Sequence, residues 1–206
     1  MHIAKGTDVK LAKMLIPLLA LATPANAAPR TETAILAGGC FWGMEWLFEH
    51  VKGVTDVVSG YAGGKPRDAN YDKVSSEGTG HAEAVRITYD PARITYAQLL
   101  QIYFTVAHDP TQVNRQGPDV GPSYRSAIFP QSPQQAQIAK AFIARLQASH
   151  MYKQPIATRI ESGGFYTAEA YHQDFARKHP SYPYIVFNDR PKVAALKAKY
   201  PSLFKA

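Results

Sequence analysis

Cys40 is the one cysteine in the 206 residues, and its neighbours favour a reactive thiol. The flanking Gly39 and Gly43 leave room for backbone amides and a substrate, and Phe41 and Trp42 add apolar faces. A cysteine reacts as its thiolate, and the amides at a helix N-terminus lower the thiol pKa. Because a strand-to-helix turn is predicted here, we expect a lowered pKa and a nucleophilic sulfur. The alternative is a buried, inert thiol, which is common among free cysteines.

Glu83 is the second residue whose position suggests chemistry. It lies on the same face of a predicted strand as Val85 and Ile87, so its side chain is expected to face the apolar interior. Burial disfavours the charged form of a carboxyl and raises its pKa, which makes Glu83 a candidate general acid. The alternative is that Glu83 is paired with a base such as Arg86.

The elements that must position these residues follow from hydrophobic periodicity and capping signals. Strands are predicted over 31–37, 54–61, 82–89 and 124–129, with helices over 42–50 and from the Thr95 capping box to Val106. This order predicts an α+β fold with a ferredoxin-like split β-α-β core, an antiparallel sheet carrying helices on one face. Beyond the core we expect helices over 132–148 and 167–178, a strand over 156–161 and an irregular tail from Pro180.

Several motifs in this order resemble the A-type peptide methionine sulfoxide reductases. The similarity runs from about residue 33 to 189 and is carried by GCFWG (39–43), GYxGG (60–64), GHAE (80–83) and the run 108–126. The resemblance implies an oxidoreductase that converts the S epimer of methionine sulfoxide, peptide-bound or free, to methionine. The sequence 169–173 resembles a late motif of the family and is expected to buttress the pocket, with lining the pocket as the alternative.

The resemblance also assigns roles to residues of this chain. Cys40 would attack the sulfoxide sulfur and become a sulfenic acid, while Glu83 would protonate the oxygen. The implied substrate-binding residues share the task of holding the sulfoxide: Tyr71 and Tyr124 bond its oxygen, Asp119 orders the site, and Phe41 and Trp42 cradle the methyl group. Such a site suits a sulfoxide, which presents an apolar methyl beside a strongly accepting oxygen.

The single cysteine sets this chain apart from many family members, which carry further cysteines toward the C-terminus that resolve the sulfenic acid. With none available, we expect an external thiol reductant, either a thioredoxin-like protein or a small thiol, and no bound cofactor. The expected partners are oxidised proteins or peptides containing methionine sulfoxide.

The first 27 residues are typical of a secretory signal peptide: lysines, an apolar run from Met14 to Ala22 and a small-residue cleavage pattern at 25–27. We therefore expect a catalytic domain over 28–206 that is periplasmic or secreted and a monomer. A membrane anchor is the alternative, but the apolar run is short for a span of roughly 20 residues. The net charge of +7 is dispersed, so no nucleic acid partner is expected.

Rival functions remain open at this stage. A cysteine hydrolase would use Cys40 with His81 or His172 as base, and a binding module would recognise oxidised methionine without turnover. The His108-Asp109 pair and the histidines at 172 and 179 do not form a convincing ligand set, so no metal is expected.

Overall fold

The computed structural model describes residues 31–206, and the predicted signal peptide lies outside the described residues. The strands are β1 (Glu32–Ala37), β2 (Val54–Ala62), β3 (Ala82–Tyr89), β4 (Arg115–Gln116), β5 (Asp119–Val120), β6 (Ala127–Phe129), β7 (Arg159–Ile160) and β8 (Phe165–Thr167). The α-helices are α1 (Phe41–Glu49), α2 (Tyr71–Val74), α3 (Tyr96–Ile102), α4 (Pro133–Ser149), α5 (Phe175–Lys178) and α6 (Arg190–Lys199).

The main sheet has the strand order β7-β6-β1-β3-β2-β8. Its four central strands, β6-β1-β3-β2, are antiparallel to one another, and helices α1 and α3 connect them in the order of a split β-α-β unit. This confirms the predicted core. Strand β7 extends one edge in parallel and β8 extends the other in antiparallel pairing.

The two faces of the sheet are packed differently. On the helix side, Leu36, Val85 and Ile87 join a large core with residues of α1 and α3. On the other side, a smaller cluster consists mainly of alanines with Phe129 and Phe165. The alternation of strand side chains therefore puts odd-numbered β3 residues under the helices, which is the face on which Glu83 was expected.

Several helices begin at the capping residues that predicted them. The Thr95 hydroxyl accepts from the Gln98 amide while the Gln98 side chain accepts from the Thr95 amide, so the capping box is present. At the start of α4 the Ser132 hydroxyl accepts from the Gln135 backbone N–H, and Pro133 lies in the first turn. A π-helical turn over Tyr103–Ala107 extends α3 toward the predicted Val106 end.

The predicted strand over 124–129 begins late. Tyr124 lies in a 3-10 turn, Pro122–Tyr124, and the strand starts only at Ala127. The turn is held because the Arg125 guanidinium donates to the carbonyl of Pro122 at 2.8 Å. Within the preceding segment, which is predicted to be a long loop, β4 and β5 pair as a short hairpin.

The C-terminal third departs most from prediction. The prediction of a helix over 167–178 is wrong, because strand β8 ends at Thr167 and the helix occupies only Phe175–Lys178. The tail from Pro180 is also more regular than expected, because a π-helical turn over Ile185–Asp189 leads into α6. Within residues 31–206, no helix has both the length and the apolar character needed to cross a bilayer.

Candidate active site

Cys40 lies at the junction between β1 and α1, where it is the N-cap residue of the helix. Gly39 before it has a φ of +94°, and a Cβ there would come within 2.6 Å of the Gln116 side chain, so this position requires glycine. Cys40 is 8% exposed and borders a cavity of about 110 Å³ that is also lined by Asp119 and Tyr184. The sulfur thus sits at the edge of the core beside a small opening.

Glu83 approaches the same junction from β3. Its Oε2 atom accepts a hydrogen bond of 3.0 Å from the backbone N–H of Phe41, the residue that follows Cys40. Burial raises the pKa of Glu83 from 4.5 to about 8, although the Phe41 hydrogen bond opposes this shift. The alternative pairing with Arg86 does not occur, because that guanidinium lies over the Phe165 ring at 5.1 Å. Glu83 is therefore a protonated buried carboxyl at neutral pH.

The prediction that the pKa of the Cys40 thiol is lowered is wrong. Burial raises the pKa of this thiol well above 9.0, and the negative charges of Glu83 and Asp189 raise it further. The backbone hydrogen bond from Trp42 lowers the pKa, as the helix N-terminus predicts, but burial outweighs it. Since one of the opposing charges belongs to Glu83, protonation of Glu83 makes the thiolate easier to form.

Two tyrosine hydroxyls belong to the same electrostatic neighbourhood. The pKa of Tyr71 and that of Tyr124 are both raised by burial, and then by the charges of Glu83 and Cys40. Both phenols therefore remain protonated and can donate hydrogen bonds. Tyr71 begins the short helix α2, where its backbone N–H donates to Glu169 at 2.9 Å, and Tyr124 is placed by the 3-10 turn before β6.

Asp119 lies on β5 at the rim of the cavity, and Tyr184 donates a hydrogen bond to its carboxylate. Burial raises the pKa of Asp119, while this hydrogen bond and the charge of Lys192 lower it. Sequence reasoning identified Asp119 but missed Tyr184 and Lys192, which come from the tail that was expected to be irregular. No local signal marks Tyr184 as part of a site some 140 residues away from the cysteine in the chain.

The aromatic residues after Cys40 form a braced wall. Trp42 stacks on Phe175 with ring centroids 3.8 Å apart, and its indole Nε1 donates to Nδ1 of His172 at 3.1 Å. Phe41 is 1% exposed and packs against the rings of His172 and Tyr61. The wall is therefore held in part by His172, the residue of the late motif that contacts both aromatic side chains, which is the kind of buttressing expected of that motif.

Glu169 contributes a second brace from the same motif. Its Oε2 atom accepts from the Tyr61 hydroxyl at 2.8 Å, while Oε1 takes the Tyr71 amide described above. Its side chain thus links β2 to helix α2, and it fixes the start of the helix that carries the Tyr71 hydroxyl.

The histidines proposed for the rival readings have other partners. His81 accepts from the Gly64 amide at 3.1 Å through Nδ1, and its Nε2 lies 3.0 Å from the Lys65 carbonyl. His172 is held by Trp42, and His108 contacts Ser126 at 2.7 Å. Within residues 31–206, no hydrogen bond joins an imidazole to Cys40, and no cluster of potential ligands could hold a metal ion.

Asp189 is a further buried carboxyl that sequence reasoning did not single out. It is 0% exposed, and Lys192 pairs with its Oδ1 atom at 3.1 Å. A Cβ at Gly43 would lie 1.9 Å from the same oxygen. The glycine of the GCFWG motif is therefore needed for close approach of the tail to helix α1.

Comparison with known proteins gives a consistent set of relatives. The family described as peptide methionine sulfoxide reductase matches residues 32–203. Peptide methionine sulfoxide reductase MsrA 2 of Mesorhizobium japonicum is 58% identical over 180 residues, which cover 87% of this chain and 92% of that protein. Reduced Mxr1 from Saccharomyces cerevisiae superposes with a TM-score of 0.66 at 34% identity, covering 74% of this chain and 87% of that one. Methionine sulfoxide reductase A of Corynebacterium diphtheriae superposes with a TM-score of 0.64 at 36% identity, covering 75% of this chain and 77% of that one.

Proposed function

Because the chain belongs to the peptide methionine sulfoxide reductase family, whose members reduce methionine sulfoxide to methionine, we propose that Cys40 is its nucleophile and Glu83 its general acid. The observation that carries this proposal is the position of Glu83. A buried carboxyl with a pKa of about 8 accepts from the backbone of the residue next to Cys40. A group with that pKa holds its proton at neutral pH and can deliver it to an oxygen.

The Cys40 sulfur attacks the sulfoxide sulfur, and Glu83 gives its proton to the sulfoxide oxygen. The attack forms a bond between the two sulfurs, and the protonated oxygen becomes a hydroxyl on the methionine sulfur. That hydroxyl then bonds to the Cys40 sulfur as the S–S bond and the S–O bond to the methionine sulfur break, which leaves a sulfenic acid on Cys40 and releases methionine. The Cys40 sulfur loses two electrons and the methionine sulfur gains them. The proton that the thiol loses returns to Glu83, so the carboxyl ends the step as it began.

The surrounding side chains suit the shape and polarity of a sulfoxide. The protonated hydroxyls of Tyr71 and Tyr124 donate to its oxygen, and Asp119 keeps the cavity rim ordered through its bond from Tyr184. The Trp42 wall receives the methyl group. A methyl pocket on one side and proton donors on the other distinguish the two sulfoxide epimers, and we propose that the S epimer is the substrate, in free and peptide-bound methionine.

Regeneration of Cys40 requires a thiol from outside the chain, because the sequence has no second cysteine. The first external thiol condenses with the sulfenic acid to give a mixed disulfide and water, and a second thiol releases Cys40 as the free thiol. We propose that a thioredoxin-like protein or a small thiol serves here. The enzyme needs no bound cofactor in this scheme.

We further propose that residues 1–27 direct the chain out of the cytoplasm, leaving residues 28–206 as the mature monomeric enzyme. Its substrates would be exported proteins carrying oxidised methionine. Fractionation of cells that produce the full chain, followed by intact mass measurement, tests this. A processed protein in the periplasm or medium supports the proposal, and a full-length protein in the cytoplasm contradicts it.

The proposed reaction is tested by incubating the protein with each methionine sulfoxide epimer and a dithiol, then measuring methionine. We expect product from the S epimer only. The matched control is Cys40→Ser, which should form no product while it still binds the sulfoxide. Methionine formed by Cys40→Ser, or formed equally from both epimers, would overturn the assignment.

A further inference from the structure

Helix α1 contains a second buried carboxyl that the proposed reaction does not use. Glu45 is 2% exposed, and its Oε2 atom accepts two hydrogen bonds of 3.0 Å, one from the Ser59 hydroxyl and one from the backbone N–H of Asp174. The first donor comes from β2 and the second from residues 168–175, which we call the bracing segment. One carboxylate therefore joins the helix that begins after Cys40 to two other parts of the fold.

The bracing segment has little regular structure to hold it in place. Gln173 bonds both backbone groups of Ser59 at 3.0 Å, which ties the segment to β2. Asp174 adopts a φ of +56°, a left-handed conformation that few side chains adopt but that Asp tolerates better than most. Its backbone N–H donates to Glu45 from that conformation.

Residues on either side of Asp174 brace the aromatic wall. His172 accepts from the Trp42 indole, and Phe175 stacks on the Trp42 ring. His172 precedes Asp174 by two residues, and Phe175 follows it directly. A shift of the backbone at Asp174 would therefore move the partners that fix the orientation of Trp42.

We infer that Glu45 is a positioning residue whose ionised carboxylate docks the bracing segment onto helix α1 and thereby sets the substrate-binding wall around Trp42. This role rests on the proposed function, because the wall is taken to receive the substrate methyl group. Glu45 acts through Trp42, His172 and Phe175.

The charge on Glu45 depends on pH near neutrality. Burial raises the pKa of Glu45 to about 7, while the hydrogen bonds from Asp174 and Ser59 lower it. The charged groups that face it are Glu49 on its own helix, and Asp174 with Arg177 from the other side. A protonated Glu45 is a weaker acceptor than a carboxylate, so the attachment loosens as the pH falls through about 7.

The first test compares Glu45→Gln with Glu49→Gln. Glu49 is the comparison because it lies one helical turn on and burial raises its pKa to about 7 as well; its charge also faces Asp174 and Glu45. We expect Glu45→Gln to raise KM about tenfold with kcat changed by less than about threefold, since a neutral acceptor replaces a charged one. In the wild type, KM should rise as the pH falls below about 7, whereas in Glu45→Gln it should be flat. In Glu49→Gln the rise should persist but begin at a lower pH, because removing the Glu49 charge lowers the pKa of Glu45. An unchanged KM in Glu45→Gln, or a pH inflection lost in Glu49→Gln, would overturn the inference.

The second test does not depend on catalysis. Trp42 and Trp46 are the two tryptophans, so a Trp46→Phe background leaves the fluorescence of Trp42 as a direct probe of the wall. We expect this emission to change with a midpoint near pH 7, and Glu45→Gln to show the low-pH emission throughout. If Glu45→Gln fails to fold, a midpoint near pH 7 in the Trp46→Phe protein still supports the inference, because burial lowers the pKa of His172, the other titratable partner of Trp42, below 6.5. Emission that is constant across this pH range rules the inference out, whether or not the protein reduces a sulfoxide.

Discussion

Glu83→Gln should make the protein more stable at mildly alkaline pH while nearly abolishing its activity. The amide keeps an oxygen that can accept from the Phe41 N–H, so the start of helix α1 retains its partner. What the substitution removes is the titration of a carboxyl buried in the core. The effect on the free energy of unfolding can be calculated from the difference between the pKa of this carboxyl in the unfolded and folded states.

The carboxyl of Glu83 titrates at 4.5 when exposed and at about 8 in the folded protein. Between these values the unfolded chain has released the proton and the folded protein still binds it. The contribution of Glu83 to the free energy of unfolding is therefore fully present below its pKa in the unfolded chain. It is lost as the pH rises toward its pKa in the folded protein. At about 1.36 kcal/mol per pKa unit, the wild type loses roughly 3 to 4 kcal/mol between about pH 5 and about pH 8 through this residue.

Urea unfolding of the wild type and Glu83→Gln at both pH values measures this difference. Other titrating groups are common to the two proteins, so the change in their stability difference isolates Glu83. We expect the variant to gain roughly 3 to 4 kcal/mol on the wild type over this range, and to lose activity by roughly a hundredfold or more. Stability curves that stay parallel from about pH 5 to about pH 8 would refute the assignment of a raised pKa to this carboxyl.

Three further predictions follow from contacts at the site. Gly43→Ala would place a methyl 1.9 Å from the Asp189 carboxylate, so its melting temperature should fall by the equivalent of about 1 to 3 kcal/mol; an unchanged melting curve would contradict the close approach. Tyr184→Phe removes the hydrogen bond to Asp119, and we expect kcat/KM to fall by about fivefold or more with little change in unfolding; equal kcat/KM would show that this bond does not order the site. The kcat/KM of the wild type should decline above about pH 8 as Glu83 loses its proton, and in Glu83→Gln that decline should be absent from the pH profile.

The core of the fold could be predicted because its signals are local. The alternation from Glu83 to Tyr89 placed one face of β3 under the helices, and the Thr95 capping box marked the start of α3. The C-terminal third could not be predicted in the same way. The segment before Asp174 is helix-compatible in sequence, but the backbone N–H of Ala168 donates to Ser59 and that of Asp174 donates to Glu45. Both acceptors lie far away in the chain.

The site was predictable to the extent that its residues sit in motifs. Cys40 and Glu83 meet at one junction, and Tyr71, Asp119 and Tyr124 share its electrostatic environment. The state of the thiol was predicted wrongly, because the helix N-terminus is visible in sequence whereas the extent of burial is not. Pro191 at the first turn of α6 was an available signal for a helix, and it would have corrected the expectation of an irregular tail.

The most direct test of the central claim is the intact mass of the protein after one turnover without reductant. Equimolar enzyme and S-epimer sulfoxide should yield methionine together with a protein heavier by about 16 Da, with the added oxygen on Cys40. Methionine formed while Cys40 remains a free thiol of unchanged mass would contradict the account.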